Sequence, residues 1–501
     1  MQQKKHPRAS WEIVESSCEM QLLWMTIWKS NLGSLRLILA LSVFFWHVPG
    51  HPFRLIHGGI AVESFFMISG FYMALVINEK YSKLSSSSWV STFYQSRILR
   101  LAPTYLIICL FEGLLYIRHD TPNIFSANSL TLQARSALFF INFFIFGQDT
   151  WQTILSHAST NIPNSFIDSA TTFFGNNAFE PIYVYIGQAW SLGIELIFYA
   201  IAPFVVMSRT RTIVLFITCL FIRFYFVEHA DLFPNDPWRS RFFASNLPFF
   251  FLGVVSYWIY ARAVSFRHSK TIGRMVAIGG VCSLIGSVYF AGGAFLFDGA
   301  EDYDQIRLWI FYLLFTVGMP FLFILSKDIK WDSYIGEISY PVYLVHGLII
   351  GSLAPAHFSP SVRLILMLAT TLAVSTALFV FVDRPVDRIR HALASTPLSK
   401  SAWPSLYRRI GFSVFAVPVL LFVFVIFRPT TEVHSVPRLI KAVGHYNIVA
   451  FDGKFFGIPQ GIPVNWQKDD LLAIRGMVVA ASAENTESLI LATLQNIQNT
   501  P

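Results

Sequence analysis

The sequence predicts an all-α polytopic membrane protein with about eleven transmembrane helices and a small C-terminal extracytoplasmic α+β appendage. Of the 501 residues, 54% are hydrophobic and only 13% are charged, where ordinary globular chains carry about 25% charged residues. The apolar residues form long blocks of the length that a hydrocarbon core of about 30 Å requires. The basic residues lie in the short stretches between these blocks.

The apolar blocks set the number of spans and their orientation. Blocks of about 17 to 25 residues predict spans at 31–49, 59–78, 99–118, 182–207, 211–228, 243–261, 275–297, 307–326, 334–353, 362–382 and 410–427. A further block at 134–146 is better suited to a re-entrant or interfacial segment, because it is too short to span. With this block left out, nearly every basic loop lies on one face. The N-terminus is then cytoplasmic and the C-terminus extracytoplasmic.

These spans divide the chain into five parts. They are a cytoplasmic tail (1–30), a transmembrane domain (31–390), a cytoplasmic linker (391–409), an additional transmembrane helix (410–427) and an extracytoplasmic appendage (428–501). In the appendage, apolar and polar residues alternate around Asp452-Gly453, which predicts a β-hairpin. Residues 467–497 are predicted to be helical.

Charge and cysteine content exclude several classes of protein. The formal net charge is +8, but the lysines and arginines flank apolar blocks, which indicates the positive-inside pattern and not nucleic-acid binding. Three of the four cysteines lie inside apolar blocks, and the chain has no CxxC pair. We therefore expect no disulfide framework, no metal site and no redox cofactor.

Charged side chains inside spans are costly, so each is a candidate functional residue. Arg36 and His47 in the first span are eleven residues apart, only about 20° from three full turns, so both project from one helix face. Arg36 is expected near the cytoplasmic end, about 16 Å from His47 near the outer end. Glu63 enters the second span at the level of His47 and is placed to orient its imidazole. Alternatively, His47 is an interfacial histidine that reaches water.

Further candidates lie on the third, fourth and ninth spans. Arg97 and Arg100 share a helix face at the cytoplasmic border, where two guanidinium groups suit phosphates, although border arginines also serve as simple anchors. Glu195 lies at shallow outer depth; it and Glu63 have a structural alternative as partners of helix N-termini. The remaining candidates are Trp190, Ser191, Tyr343 and His346, of which His346 has the alternative of a packing contact between helices.

Six segments resemble, in this order, the motifs of the acyltransferase-3 family. They are Arg36 to His47, Gly58-Gly59-Ile-Ala-Val-Glu63-Ser-Phe-Phe-Met-Ile-Ser-Gly70-Phe71, Arg97-Ile-Leu-Arg100, Trp190-Ser191-Leu-Gly-Ile-Glu195, Ser339-Tyr340-Pro-Val-Tyr343-Leu-Val-His346 and Asp383-Arg384-Pro385. The resemblance covers about residues 31 to 390. Glu63 lies where the family more often has Asp. Glutamate keeps the negative charge but has a longer side chain. The tail lacks the Gly-Asp-Ser block of the esterase-like domain that many relatives carry.

The resemblance implies an O-acyltransferase in the cell membrane, with the bacterial inner membrane as the expected location. It would move an acyl group, by default acetyl, from cytoplasmic acyl-CoA to a hydroxyl of an extracytoplasmic carbohydrate, such as O-antigen, exopolysaccharide, glucan or glycolipid. Arg36, Arg97 and Arg100 would bind the anionic CoA. His47 would act as general base or transient acyl carrier, with Glu63 or Glu195 fixing its tautomer.

The main alternative is a transporter or flippase of a lipid-linked sugar or polysaccharide, since intramembrane charge also marks substrate pathways. Two features of the sequence disfavour it. The hydropathy pattern shows no internal repeat, and no pair of Gly/Pro-broken helices stands at matching positions in two halves. Binding of acyl-CoA with release of free CoA would separate the enzyme from the transporter.

Overall fold

The structure is a computed structural model that describes most of the helical region and part of the tail. The described residues are 32–49, 56–83, 89–118, 130–158, 165–174, 183–229, 235–265, 278–283, 285–286, 305–354, 358–395, 438–443, 446–451, 454–459, 478–480 and 485–491. They belong to two compact units, which divide between Ile426 and Phe427. The first unit is helical and the second contains a β-sheet.

Thirteen α-helices have defined bounds in the described part of the first unit. They are α1 (Gly33–His47), α2 (Gly58–Glu79), α3 (Trp89–Arg118), α4 (Leu132–Phe144), α5 (Gln148–Ala158), α6 (Ser165–Phe174), α7 (Trp190–Val205), α8 (Arg209–Glu228), α9 (Phe243–Ser265), α10 (Gln305–Ser326), α11 (Lys330–Leu353), α12 (Pro360–Leu378) and α13 (Arg384–Ser395).

Seven helices in the described ranges are long and apolar enough to cross a bilayer, which confirms the helical membrane fold. Helix α1 is apolar but has only 15 residues. The predicted span at 410–427 lies outside the described residues, as does most of 275–297, so the count of eleven and the orientation stay predictions. The block predicted not to span forms α4, whose 13 residues rise about 20 Å.

Glycines bring the backbones of α2 and α9 into contact at the centre of the helical unit. A Cβ atom added to Gly70 would lie 2.0 Å from the carbonyl oxygen of Phe250, and one added to Gly253 would lie 2.0 Å from that of Met67. Such close approach is how membrane helices gain packing energy without a hydrophobic driving force. The ring of Phe250 stacks on Phe66 beside this contact, with the ring centroids 4.7 Å apart.

A carboxylate on α11 caps the N-terminus of α1. Asp332 accepts hydrogen bonds from the backbone amides of Gly33 and Ser34, both at 2.8 Å, and from the Ser34 hydroxyl at 2.6 Å. The approach is close, since a Cβ on Gly33 would lie 1.6 Å from the Asp332 carbonyl oxygen. Unpaired amides and the helix dipole favour an anion at this position. The contact fixes the position of α1 along α11.

The second unit contains a four-stranded antiparallel sheet in the order β1-β2-β3-β4. Its strands are β1 (Arg438–Val443), β2 (Tyr446–Phe451), β3 (Lys454–Pro459) and β4 (Val478–Ala480). The pairing of Phe451 with Lys454 confirms the predicted hairpin, although its turn lies outside the described residues. The prediction of helix throughout 467–497 is wrong at β4, because this Val-Val-Ala run pairs with β3. Residues 485–491 are helical, and Ile490 packs in a small core with Tyr446.

We expect Gly70→Ala to destabilise the helical unit by about 1–3 kcal/mol, because the added methyl group has to push α2 away from α9. Gly351→Ala is the matched control, since a Cβ there meets no atom within 4 Å. Thermal unfolding of both purified variants in the same detergent checks this. Equal melting temperatures for Gly70→Ala and wild type would contradict the proposed packing.

Candidate active site

A cavity of about 180 Å³ lies among six helices of the first unit: α1, α2, α3, α7, α11 and α13. Its polar lining consists of four arginines, two glutamates and several hydroxyl groups. We call the side formed by Arg36, Arg97, Arg100 and Arg390 the arginine end. Within the described residues, no group of three or more His, Cys, Asp or Glu side chains is placed to hold a metal ion.

The structure brings all three arginines predicted from the sequence to this one cavity. Arg36 comes from α1, and Arg97 and Arg100 from α3. Arg97 is 9% exposed and lies over the rings of Phe93 and Tyr199, with its guanidinium carbon 5.8 and 5.9 Å from the ring centroids. Aromatic faces stabilise a buried cation in this way. The role of these arginines in CoA binding stays a prediction.

Carboxylates that the sequence analysis missed hold two of the cavity arginines. Arg100 pairs with Glu337 of α11, and its Nη1 lies 3.8 Å from Asp387 of α13. Asp387 also pairs with Arg390 at 2.8 Å. Glu337 lies inside the predicted span 334–353, so the rule that intramembrane charge marks a site could have found it. Asp387 and Arg390 lie after the Asp383-Arg384-Pro385 segment and outside every predicted span, so this rule could not have found them.

Hydroxyl groups surround Glu195 and Ser191 of α7, which also line the cavity. The Glu195 carboxylate accepts hydrogen bonds from the Ser69 hydroxyl at 2.7 Å and from the Tyr199 hydroxyl. The hydroxyls of Ser191 and Tyr343 lie 2.7 Å apart, and both bond to the Gln188 carbonyl. Three of the predicted residues, Glu195, Ser191 and Tyr343, therefore share the cavity.

Trp190 differs from these neighbours. Its side chain is only partly buried and packs against the apolar core of the helical unit, while Ser191, the next residue, lines the cavity. Trp190 is not among the residues that line the cavity. The predicted role of Trp190 as an additional site residue has no support from its position.

The two predicted histidines lie side by side beyond Tyr343. The ring centroids of His47 and His346 are 5.1 Å apart, and those of His346 and Tyr343 are 5.9 Å apart. His346 is 1% exposed, whereas His47 is exposed. We call this pair the histidine end of the site. Tyr343 lines the cavity and contacts His346, so the histidine end lies next to the cavity wall.

Backbone carbonyls assign the tautomer of each histidine. Nδ1 of His47 lies 2.8 Å from the Val43 carbonyl oxygen, and Nδ1 of His346 lies 2.7 Å from that of Tyr343. A carbonyl oxygen can only accept, so each Nδ1 carries the proton and donates it. The Nε2 atom of His47 is then the basic nitrogen. The carbonyl of Val43, and not a glutamate, fixes this tautomer.

Glu63 lies away from His47 in an ion pair that the sequence analysis did not foresee. Oε1 of Glu63 accepts from Nη2 of Arg223 at 2.8 Å, and Oε2 accepts from the Tyr312 hydroxyl. Arg223 also donates to the Ser245 carbonyl at 2.9 Å and lies over the ring of Phe249. The expectation that Glu63 orients His47 is corrected, because both carboxylate oxygens are bound by these partners. Glu63 joins α2 to α8, α9 and α10.

The fold and the cavity define an integral membrane protein with a charged site among its helices. The family model of an acyltransferase domain, of acyltransferase type 3, matches residues 30–380. The chain therefore belongs to the acyltransferase-3 family and is a membrane acyltransferase. Searches of curated proteins and of solved structures found no match. The matched region contains every predicted site residue, whereas Asp387 and Arg390 lie beyond it.

Glu63→Gln and Arg223→Met should each destabilise the helical unit by about 3–5 kcal/mol, because each leaves a buried polar partner uncompensated. The double variant should lose less than the sum of the two. Glu228→Gln, an exposed position on α8, is the control and should stay within about 0.5 kcal/mol of wild type. Unfolding in detergent measures all four. If Glu63→Gln leaves stability unchanged but shifts the pH profile of acyl transfer, then Glu63 orients His47, as the sequence predicts.

Proposed function

We propose that the protein transfers an acyl group, by default acetyl, from cytoplasmic acyl-CoA to a hydroxyl of an extracytoplasmic carbohydrate. One observation carries the proposal. Arg36, Arg97 and Arg100, on two helices, line a single cavity, and Tyr343, which also lines it, contacts His346 of the histidine end. The proposed donor site and the proposed site of proton transfer are therefore neighbours that share Tyr343.

The arginine end suits the phosphates of CoA. Guanidinium groups form short, charge-assisted hydrogen bonds with phosphate oxygens, often in pairs. Arg36 and His47 are eleven residues apart on α1, so the reactive end of the donor has to extend about 16 Å from one to the other. The cavity offers apolar side chains such as Val62, Phe65 and Leu192 along this path. Apolar lining favours the uncharged arm of CoA over its anionic head.

At the histidine end, Nε2 of His47 takes the proton of the acceptor hydroxyl. The oxygen attacks the thioester carbon, the carbon–sulfur bond breaks, and the thiolate of CoA recovers the proton from the imidazole. In the second route, Nε2 itself attacks the thioester and carries the acyl group until the acceptor arrives. Only the second route releases CoA before an acceptor binds. Glu195, held by Ser69 and Tyr199, stands in the cavity between the two ends.

The proposal includes the setting of the reaction. The arginine end faces the cytoplasm, where acyl-CoA is found, and His47 faces the extracytoplasmic carbohydrate. This agrees with the cytoplasmic N-terminus predicted from the basic loops. The partners are the donor, the acceptor and the lipid bilayer, without nucleic acid. The donor supplies the activated acyl group, so the reaction needs no bound metal or further cofactor.

His47→Ala should reduce acyl transfer by about 10²–10⁴-fold, the usual contribution of a general base, while donor binding is retained. Arg97→Ala should weaken donor binding about tenfold or more, because it removes a charge-assisted bond. Arg388→Ala is the control, since this arginine lies on α13 but is exposed. Vesicles supplied with radiolabelled acetyl-CoA on the cytoplasmic face report both CoA release and transfer to envelope glycans.

Two outcomes of this experiment would overturn the proposal. Acyl transfer by His47→Ala at the wild-type rate would show that His47 does not transfer the proton. Absence of acyl-CoA binding by the wild-type protein would favour a transporter or flippase of a lipid-linked sugar or polysaccharide, which has no need for the donor. Release of CoA before an acceptor is added would select the acyl-histidine route.

A further inference from the structure

The cavity-lining face of α2 continues to a lysine at the end of the helix. Ser69, Met73 and Val76 line the cavity, and Lys80 follows at the same spacing, eleven residues after Ser69. Eleven residues differ from three full turns by only about 20°, so Lys80 shares their face. Its backbone amide still bonds to the Val76 carbonyl at 3.1 Å. Lys80 therefore lies at the arginine end, beneath the last lining residues of α2.

Lys80 is a buried cation among other buried cations. It is 5% exposed, and it interacts electrostatically with Arg97, which is 9% exposed, and with Arg390, which is 5% exposed. These three side chains come from α2, α3 and α13, and both arginines line the cavity. Asp387 pairs with Arg390 and offsets part of this charge, but a protonated Lys80 beside the two arginines still raises the free energy of the empty site. A polyanion bound among them would lower it.

The titration of Lys80 reflects this environment. Burial, together with the positive charges of Arg97 and Arg390, lowers the pKa of Lys80 to about 6. A further neighbour is the ring of Tyr81, whose centroid lies 5.6 Å from Nζ. The empty protein therefore holds this amine in its charged form less readily than an exposed lysine would be held. An anion that binds beside it favours the charged form, so binding draws in a proton.

We propose that Lys80, with Arg97 and Arg390, forms a phosphomonoester subsite that binds the 3′-phosphate of the CoA donor. The inference rests on the proposed function. Because the acyl-carrying arm of CoA extends toward the histidine end, its diphosphate lies nearer Arg36 and Arg100. The 3′-phosphate on the ribose then lies farther from the histidine end, on the cytoplasmic side. Along α2, Lys80 is the cation that comes after the cavity-lining residues, on the cytoplasmic side. A compact ammonium group suits a terminal phosphate.

The test compares acetyl-CoA with acetyl-3′-dephospho-CoA, measured by equilibrium binding to full-length protein in phosphatidylcholine nanodiscs. Wild type should prefer acetyl-CoA by about 10- to 100-fold. In Lys80→Met the preference should fall below about threefold. The change should come from weaker binding of acetyl-CoA, while the affinity for acetyl-3′-dephospho-CoA stays the same. Lys80→Arg should retain the preference. Lys330→Met, an exposed lysine at the start of α11, is the control and should behave as wild type.

Proton uptake supplies a second readout. Calorimetric titration at pH 7.5 in buffers of different ionisation enthalpy should show proton uptake by wild type on binding acetyl-CoA. The affinity should therefore decrease as the pH rises above 6, since the bound state holds the extra proton. Lys80→Arg should bind with markedly less uptake, because arginine is already protonated at this pH.

Three results would overturn the inference. One is an undiminished preference for acetyl-CoA in Lys80→Met. Another is equal weakening of both ligands, which would make Lys80 a structural residue. A third is a Lys80→Met effect that appears only in nanodiscs with phosphatidylglycerol, which would assign the subsite to a lipid headgroup. If wild type binds neither ligand, the proposed function itself fails, a result distinct from the other three.

Discussion

The capping of α1 by Asp332 sets the geometry on which the site depends. The two helices run in the same direction, and fourteen residues separate Gly33 from His47 just as fourteen separate Asp332 from His346. Because each residue advances a helix by about 1.5 Å, a contact at one end predicts a contact at the other. The rings of His47 and His346 accordingly meet 5.1 Å apart. The same register sets Arg36 near Glu337, with which it interacts electrostatically.

Two glutamates of the helical unit show how partners decide what a carboxylate can do. Glu63 is bound by the guanidinium of Arg223 and the hydroxyl of Tyr312, and removal of either charge would leave the other buried. Glu195 accepts from hydroxyl groups of Ser69 and Tyr199 and lines the cavity. Hydroxyl groups can rotate to donate elsewhere when a ligand arrives. Glu195 can respond to binding, whereas Glu63 holds helices together.

The sequence predicted those parts of the site that depend on one helix at a time. Helical periodicity and membrane depth placed Arg36, Arg97 and Arg100 at one level, and the structure finds them in one cavity. It could not predict the partners, because Arg100 and Glu337 are 237 residues apart and Glu63 and Arg223 are 160 apart. Their pairing depends on which helices are neighbours. For the same reason β4 was mistaken for helix, since its pairing with β3 is a long-range contact.

The bond between Gly33 and Asp332 joins residues 299 positions apart, which has a consequence for biogenesis. A ribosome that adds about 5–20 residues per second reaches Asp332 roughly 15–60 s after Gly33. During that interval α1 has neither its Asp332 cap nor its histidine partner, and Arg36 has no Glu337 beside it. The candidate site is therefore incomplete in the nascent chain until α11 has been synthesised, because Asp332, Glu337, Tyr343 and His346 all lie on that helix.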